Sequence, residues 1–451
     1  MKGRKITGIA ITALLTGSLL ACGNQGASGG GQEVVSEGHG MEKTGEVTRI
    51  SSQTRDNGDG SMTSGIAEYP IAEELDDTLM QGVNHLAYCM SEQLAVDGRN
   101  YFFSPYSISS ALTLLDNAAE GQTKEQMEEL LGISDLRNWN MQLSCYMEKE
   151  QPEEAMLTSA NSLWFDRQFS VSDRAYEEYL PLVEFYYGAL LYQADFYNDP
   201  TGTKDQINQW IADETNGMIE DYLEEVDSET VLALFNAVYF YGEWSFPFMA
   251  EMTNEDVFHG ASGDTQADMM HQSEIWLSYY EEGDLRGISL PYGDGSKVMN
   301  ILLPAEGSGA TAAQLFAGLS EDEKNEFLRN VMDAQASYVE MLQLPKYSMS
   351  YSVRNFTGML ERLGMTDAFD STLAQFPGIG DIYVSDAGHM AVLEVDELGS
   401  RAAAVTSMMA KNCALVREEN AVRFIVDQPF VFFIQDRESG MILFMGQVSE
   451  L

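Results

Sequence analysis

Few residues of this chain are of a type and spacing that could do chemistry. They are one serine set between glycines, four cysteines, and five histidines, of which His389 lies in an apolar run. Gly26-Ala27-Ser28-Gly29-Gly30 spells G-x-S-x-G, which exposes an acyl hydrolase's serine when a strand leads into it and a helix leaves it. Its surroundings are rich in glycine, serine, glutamine and acidic residues, from which neither element can form, so the motif is set aside. Cys22, Cys89, Cys145 and Cys413 contain no C-x-x-C pair and support neither a zinc site nor a redox motif. His389 by itself reads as a satisfied core histidine rather than a base or ligand. Catalysis, a metal and a cofactor are therefore not expected.

The stretch that stands out is catalytically silent. Glu394 to Arg417 opens with acidic residues, passes through Gly399 and runs into Ala402-Ala403-Ala404. At a period of two, Ser400, Ala402, Ala404, Thr406, Met408 and Ala410 fall on one side, and Arg401, Ala403, Val405, Ser407 and Met409 on the other. The first side is uncharged and the run lacks proline, which suits a strand able to enter between two others over a packed core. Three successive alanines equally suit a helical turn.

The elements that would have to position this stretch can be read along the chain. Met1–Ala21 has a basic start and a short, interrupted apolar run, the form of a removed signal peptide. Leu19-Leu20-Ala21-Cys22 resembles a bacterial lipobox, which implies lipid on Cys22, a membrane anchor and a cell-surface, extracytoplasmic location; an ordinary signal peptide is the alternative. Residues 22–68 lack large apolar groups and read as a flexible tether. From Tyr69 to Leu451 the pattern is globular. Leu79, Val83, Leu86, Ala87, Met90 and Leu94 recur at helical spacing. Ser104 before Pro105 predicts a capped helix with Ile108, Ala111, Leu112 and Leu115 on its buried face. Val231–Phe240 is a strand buried on both faces, in which Asn236 must find partners or cost about 1–3 kcal/mol. Val422–Ile434 and Met441–Gly446 read as two strands of a hairpin turned at Asp436–Gly440.

Length alone, 451 residues, suggests two or three domains. Formal charge is −46, from 71 acidic and 25 basic residues, which argues against nucleic acid as a partner and favours cationic ones with salt-dependent association.

Several of these segments together are similar to the serpin family of serine protease inhibitors. They are Asn100–Leu112 running on to Leu131, Leu157–Phe165, Ile207–Ile211, Val231–Phe240, Leu344–Tyr347, Ile382–Val395 and the C-terminal strands. The resemblance covers residues 69–451 and leaves no room for a second domain. It implies an α+β serpin fold, with three β-sheets, eight or nine helices and an exposed reactive-centre loop, in a protein expected to be a monomer. Glu397, Gly399, Ser400, Ala402, Ala403, Ala404 and Thr406 would then form the loop's hinge. Ser104, Ser107, Asn236 and His389 would form the shutter, a polar cluster where the main sheet parts. Trp244 would mark the breach, where the loop first enters, and Lys346 would pair with Glu397, an ordinary surface lysine being the alternative.

The same resemblance implies a suicide substrate. A protease serine or cysteine attacks the loop and forms an acyl-enzyme. The cut loop then inserts as a strand, and because catalysis tolerates a displacement of only about 1 Å, the acyl bond survives. The uncharged inward row favours inhibition over the alternative, a non-inhibitory serpin-fold binding protein, while Leu398 departs from the acidic residue usual at its position. Counting forward from Gly399 places the reactive bond at Cys413-Ala414, which suits an elastase-like or subtilisin-like target. Counting back from Phe424 and Pro429 places it near Glu418, and Lys411 or Arg417 would suit a trypsin-like enzyme.

Overall fold

The computed structural model describes residues 47–50, 69–95, 98–149, 151–215, 217–352, 356–400 and 421–451. All of them belong to one compact unit, Thr44–Leu451. Asp76 caps the helix Asp77–Leu94 by accepting from the Thr78 N–H, and Leu79, Val83, Leu86, Ala87 and Met90 face the core. Ser104 caps Pro105–Asp116 with proline at the first turn. This second helix is buried all round rather than along one face. Its hydroxyls permit that by bonding back to its own carbonyls, Ser110 to Tyr106 and Thr113 to Ser109.

Among the described residues there are nine α-helices and two hydrogen-bonded sheets. The first has seven strands in the order Thr48–Ile50, Leu190–Ala194, Ala155–Asp166, Leu232–Glu243, Gly399–Ser400, Asp386–Val395, Tyr347–Ser352. The second has nine strands and is continuous through the 20-residue strand Gly263–Glu282. That strand pairs with Asn254–Gly260 and Ala336–Pro345 over most of its length and with Leu285–Tyr292 at its end. Three sheets were expected; two are found among the described residues, because Gly263–Glu282 is long enough to pair with strands along its whole length and keep the second sheet continuous.

Leu232–Glu243 lies between two cores. Leu232, Leu234, Val238 and Phe240 point into the larger one, while Ala233, Phe235 and Ala237 point into a smaller one built on Trp164, Phe196, Ile207 and Ile211. By this alternation Asn236 projects into the larger core, the side on which the helix Pro105–Asp116 lies.

Two further expectations need correction. Thr48–Ile50 falls in the stretch read as a tether, yet it forms an edge strand on Leu190–Ala194 with Ile50 buried. Average composition hid a short apolar and β-branched run, Val47-Thr-Arg-Ile, able to pair with an open edge. Val422–Ile434 is not one strand. Val422–Ile425 pairs with Ala336–Pro345, and Phe430–Asp436 forms the hairpin with Ile442–Val448. The break falls just before Pro429, which has no N–H to offer a ladder.

Candidate functional site

The site lies along the seam between Leu232–Glu243 and Asp386–Val395, two parallel strands of the seven-stranded sheet. They pair directly from Ala233/Asp386 to Tyr239/Val392. Beyond that point a third strand separates them, with Gly399 opposite Glu243 and Ser400 opposite both Gly242 and Val395.

The chain reaches this position through a turn made by Asp396, whose Oδ1 accepts from the N–H groups of Leu398 at 2.8 Å and Gly399 at 3.2 Å. Gly399 has to be glycine because a Cβ there would overlap the Gly242 carbonyl. Trp244 holds the turn from outside, its indole N–H donating to the Asp396 carbonyl at 3.0 Å and its backbone N–H to the Leu398 carbonyl at 2.8 Å. Leu398 thus contributes backbone groups that any residue would supply. Trp244 also stacks on Tyr292 with centroids 4.4 Å apart, and the Tyr292 hydroxyl lies 2.6 Å from Ser400 Oγ, both side chains buried.

Lys346 Nζ lies 2.9 Å from Glu397 Oε2, and Thr253 donates to the other carboxylate oxygen at 2.8 Å. Partial burial opposes ionisation of Glu397, but the hydrogen bonds from Lys346 and Thr253 outweigh it and hold the carboxyl below the usual range. The hydrogen bond to Glu397 likewise raises Lys346, so both remain charged across the physiological range.

Further along the seam, Asn161, Asn236 and His389 stand opposite one another on three adjacent strands. Asn236 Nδ2 donates to Ser107 Oγ at 2.6 Å and Asn161 Oδ1 at 2.7 Å, and Asn236 Oδ1 lies 2.7 Å from His389 Nδ1. His389 Nε2 accepts from the Ser104 N–H at 3.1 Å, so the proton of a neutral ring sits on Nδ1 and is donated to Asn236. Full burial pushes the imidazole down to about 3, which keeps it neutral. Ser104 Oγ accepts from the Ser107 N–H at 3.1 Å and donates to the Leu443 carbonyl at 2.6 Å, while Ser107 Oγ lies 2.6 Å from Ser159 Oγ. This clasp ties the helix Pro105–Asp116 to all three strands and to the second sheet.

The residues expected from sequence therefore lie in two groups. Trp244, Lys346, Glu397, Gly399 and Ser400 meet where the third strand enters, and Ser104, Ser107, Asn236 and His389 meet farther along. Ala402, Ala403, Ala404, Thr406, Lys411, Cys413, Ala414, Arg417 and Glu418, and also Cys22, lie outside the described residues. Tyr292, Thr253, Asn161 and Ser159 escaped sequence reasoning. For Asn161 there was a signal, an amide among the apolar residues of its strand, as in the case of Asn236. Neither group presents a nucleophile with a base, nor a cluster of metal ligands.

An α+β chain whose large sheet is parted at one end by a short third strand defines a class, and comparison with known proteins agrees. The family model for serpins, serine protease inhibitors, matches residues 81–451. The chain belongs to the serpin family. An uncharacterized serpin-like protein of Thermococcus kodakarensis is 32% identical over 86% of this chain and 90% of its own length. Leukocyte elastase inhibitor A of Mus musculus is 32% identical over 77% of this chain and 92% of its own. Among solved structures, the native state of the thermophilic serpin tengpin superposes with a TM-score of 0.75 at 30% identity, covering 85% of this chain and 97% of that one. The family is one of serine protease inhibitors and is generally non-enzymatic.

Proposed function

We propose that the protein is a suicide-substrate inhibitor of extracellular serine proteases, with cysteine proteases as a further target class, anchored to a bacterial surface through lipid on Cys22 and acting as a monomer. The observation that carries this reading is the placement of Gly399–Ser400 between two strands that pair with each other over the rest of their contact. The hinge residues Ala402, Ala403, Ala404 and Thr406 continue that entry in sequence, with only small or uncharged groups on the inward side. Once the loop is cut, at Cys413-Ala414 in this reading, the freed segment extends the wedge down the seam and replaces direct pairing with two new ladders. The breach residues Trp244, Lys346 and Glu397 hold the wedge at its start. The shutter residues Ser104, Ser107, Asn236 and His389 keep the rest closed until then.

Incubation with elastase-like, subtilisin-like and trypsin-like proteases should give complexes that survive denaturing gels, and mass spectrometry of the released peptide identifies the bond among Lys411, Cys413, Arg417 and Glu418. Ala404→Glu carries a charge into the seam at a cost of several kcal/mol, so it should shift the outcome from trapping to simple cleavage by about tenfold or more. Cleavage without complex formation by every protease would instead support the non-inhibitory binding protein. Substitution of Cys22 should release the protein from membranes.

A further inference from the structure

Away from the seam, helix Asp77–Leu94 packs beside helix Glu321–Asp333, and three reactive side chains meet between them. His85 and Cys89 are four residues apart and share a helix face. Cys89 Sγ lies 3.6 Å from His85 Nε2. The other ring nitrogen, Nδ1, lies 3.0 and 3.2 Å from the two oxygens of Glu321, the first residue of its helix, and one nitrogen, sulfur or oxygen atom from each of the three side chains lies within 4.8 Å of the others. The edge of the imidazole is set against Gly132, whose added Cβ would come within 3.4 Å of it. Cys89 is half-buried, and the side chains of His85 and Glu321 are 30% and 49% exposed, so small molecules can reach the group.

The order of the atoms assigns the roles. A carboxylate only accepts, so a neutral His85 carries its proton on Nδ1 and presents a free lone pair at Nε2 to the thiol. This is the arrangement of a nucleophile beside a base that a third group orients. The hydrogen bond with Cys89 pushes His85 up to about 9; burial opposes the shift, and the negative charges of Cys89 and Glu321 add to it, so at pH 7 the ring keeps the proton that Nε2 takes from the thiol. A metal fits less well. His85, Cys89 and Glu321 each offer one ligand atom and these lie within 4.8 Å of one another, but three is the minimum that zinc takes from protein, and two of these groups are already hydrogen-bonded to each other. Lys324, the cation nearest in sequence to Glu321, is engaged elsewhere, paired with Glu92 at 3.2 Å and lying over the Tyr88 ring.

We propose that Cys89, His85 and Glu321 form a nucleophilic thiol site that reacts with small uncharged hydroperoxides, Cys89 Sγ attacking, His85 moving the proton and Glu321 positioning the ring. With the thiol proton already held on Nε2, sulfur attacks the distal peroxide oxygen. The S–O bond forms, the O–O bond breaks, and the leaving oxygen takes the proton from Nε2. Sulfur is oxidised by two electrons to a sulfenic acid, and the hydroperoxide is reduced to an alcohol or, from hydrogen peroxide, to water. Uncharged reagents are preferred because Glu321 and the chain's net charge of −46 repel anions. Cys145, also half-buried, provides an internal reference.

The full chain, reduced and folded, is treated with limiting iodoacetamide at pH 7, and separately with hydrogen peroxide and dimedone, and modification is read peptide by peptide by mass spectrometry. Cys89 should react about tenfold or more faster than Cys145 with both reagents, and His85→Gln should remove most of that advantage while leaving Cys145 unchanged. Glu321→Gln should slow Cys89 about threefold or more and Glu321→Asp should restore it, which loss of packing alone would not produce. In denaturant the two cysteines should react alike. Equal rates in the folded protein, or a Cys89 rate indifferent to His85→Gln, would overturn the proposal and leave an interhelical ion pair beside an inert thiol. Protease trapping is scored separately, so either reading can fail without the other.

Discussion

The two halves of the seam between Leu232–Glu243 and Asp386–Val395 contrast sharply. Over one half the strands pair directly, and Asn236 and His389 tie that pairing to Ser104 and Ser107 on the helix behind. In the other half Gly399–Ser400 already stands between them, held by backbone bonds to Trp244, one ion pair and one buried hydroxyl contact. The closed half is a fully buried polar network, in which each lost partner leaves an unsatisfied group in a low-dielectric core. The parted half rests on a half-exposed lysine and ordinary ladder bonds, so changes there come cheaply. Resistance to separation of the two strands is thus concentrated in the clasp rather than at the parted end.

That contrast can be broken outright by cutting the loop. If the wedge is the start of a longer strand, cleavage between residues 401 and 420 should raise the melting temperature by about 10 °C or more, equivalent to several kcal/mol. An unchanged melting point would leave the parted half without a consequence.

Acid tests the clasp next. His389 is held down to about 3 by burial, against 6.5 for a free imidazole, so its contribution to stability is present above pH 6.5 and lost as pH falls toward 3. Asp116, at the other end of the same helix, has the opposite sign. Burial, only partly offset by Lys124 at 3.3 Å, raises its carboxyl to about 7, so its contribution is present below pH 3.8 and lost as pH rises through 7. Each is worth on the order of 4 kcal/mol at the limits of its window. Relative to wild type, His389→Gln should therefore resist melting better as pH is lowered from 6.5 to 4, and Asp116→Asn should do worse over the same range.

Asn236→Ala should cost about 2–4 kcal/mol, because His389, Ser107 and Asn161 all lose a partner at once. Calorimetry would show it. Lys346→Ala should cost no more than about 1 kcal/mol, because the lysine is 36% exposed and the pair is open to screening by salt. Equal losses from these two substitutions would erase the contrast between the halves.

Much of this arrangement was legible because its signals are local. Ser104 before Pro105 announces a capped helix, and a ten-residue apolar run with one amide announces a strand between two cores that needs a polar partner. Val422–Ile425 was merged with the following strand because periodicity weighs a run of apolar residues more heavily than the lone proline that divides it. Thr48–Ile50 was missed because three strand-forming residues vanish in the average of a polar segment, and the edge of Leu190–Ala194 that stabilises them is over a hundred residues away. Tyr292 and Thr253 have no local signal, since each acquires its partner only when distant elements meet.

The one-dimensional order of residues determined most of the helices and strands, the single fold they build and the uncharged alternate row after Gly399, because caps, periodicity and charge act over a few residues. Tertiary structure alone decided where the large sheet is parted and where it is clasped. It alone brought Glu321 to the His85 ring beside Cys89. Both outcomes depend on groups far apart in the chain being held within 4 Å of one another, and spacing along the chain carries no information about that distance.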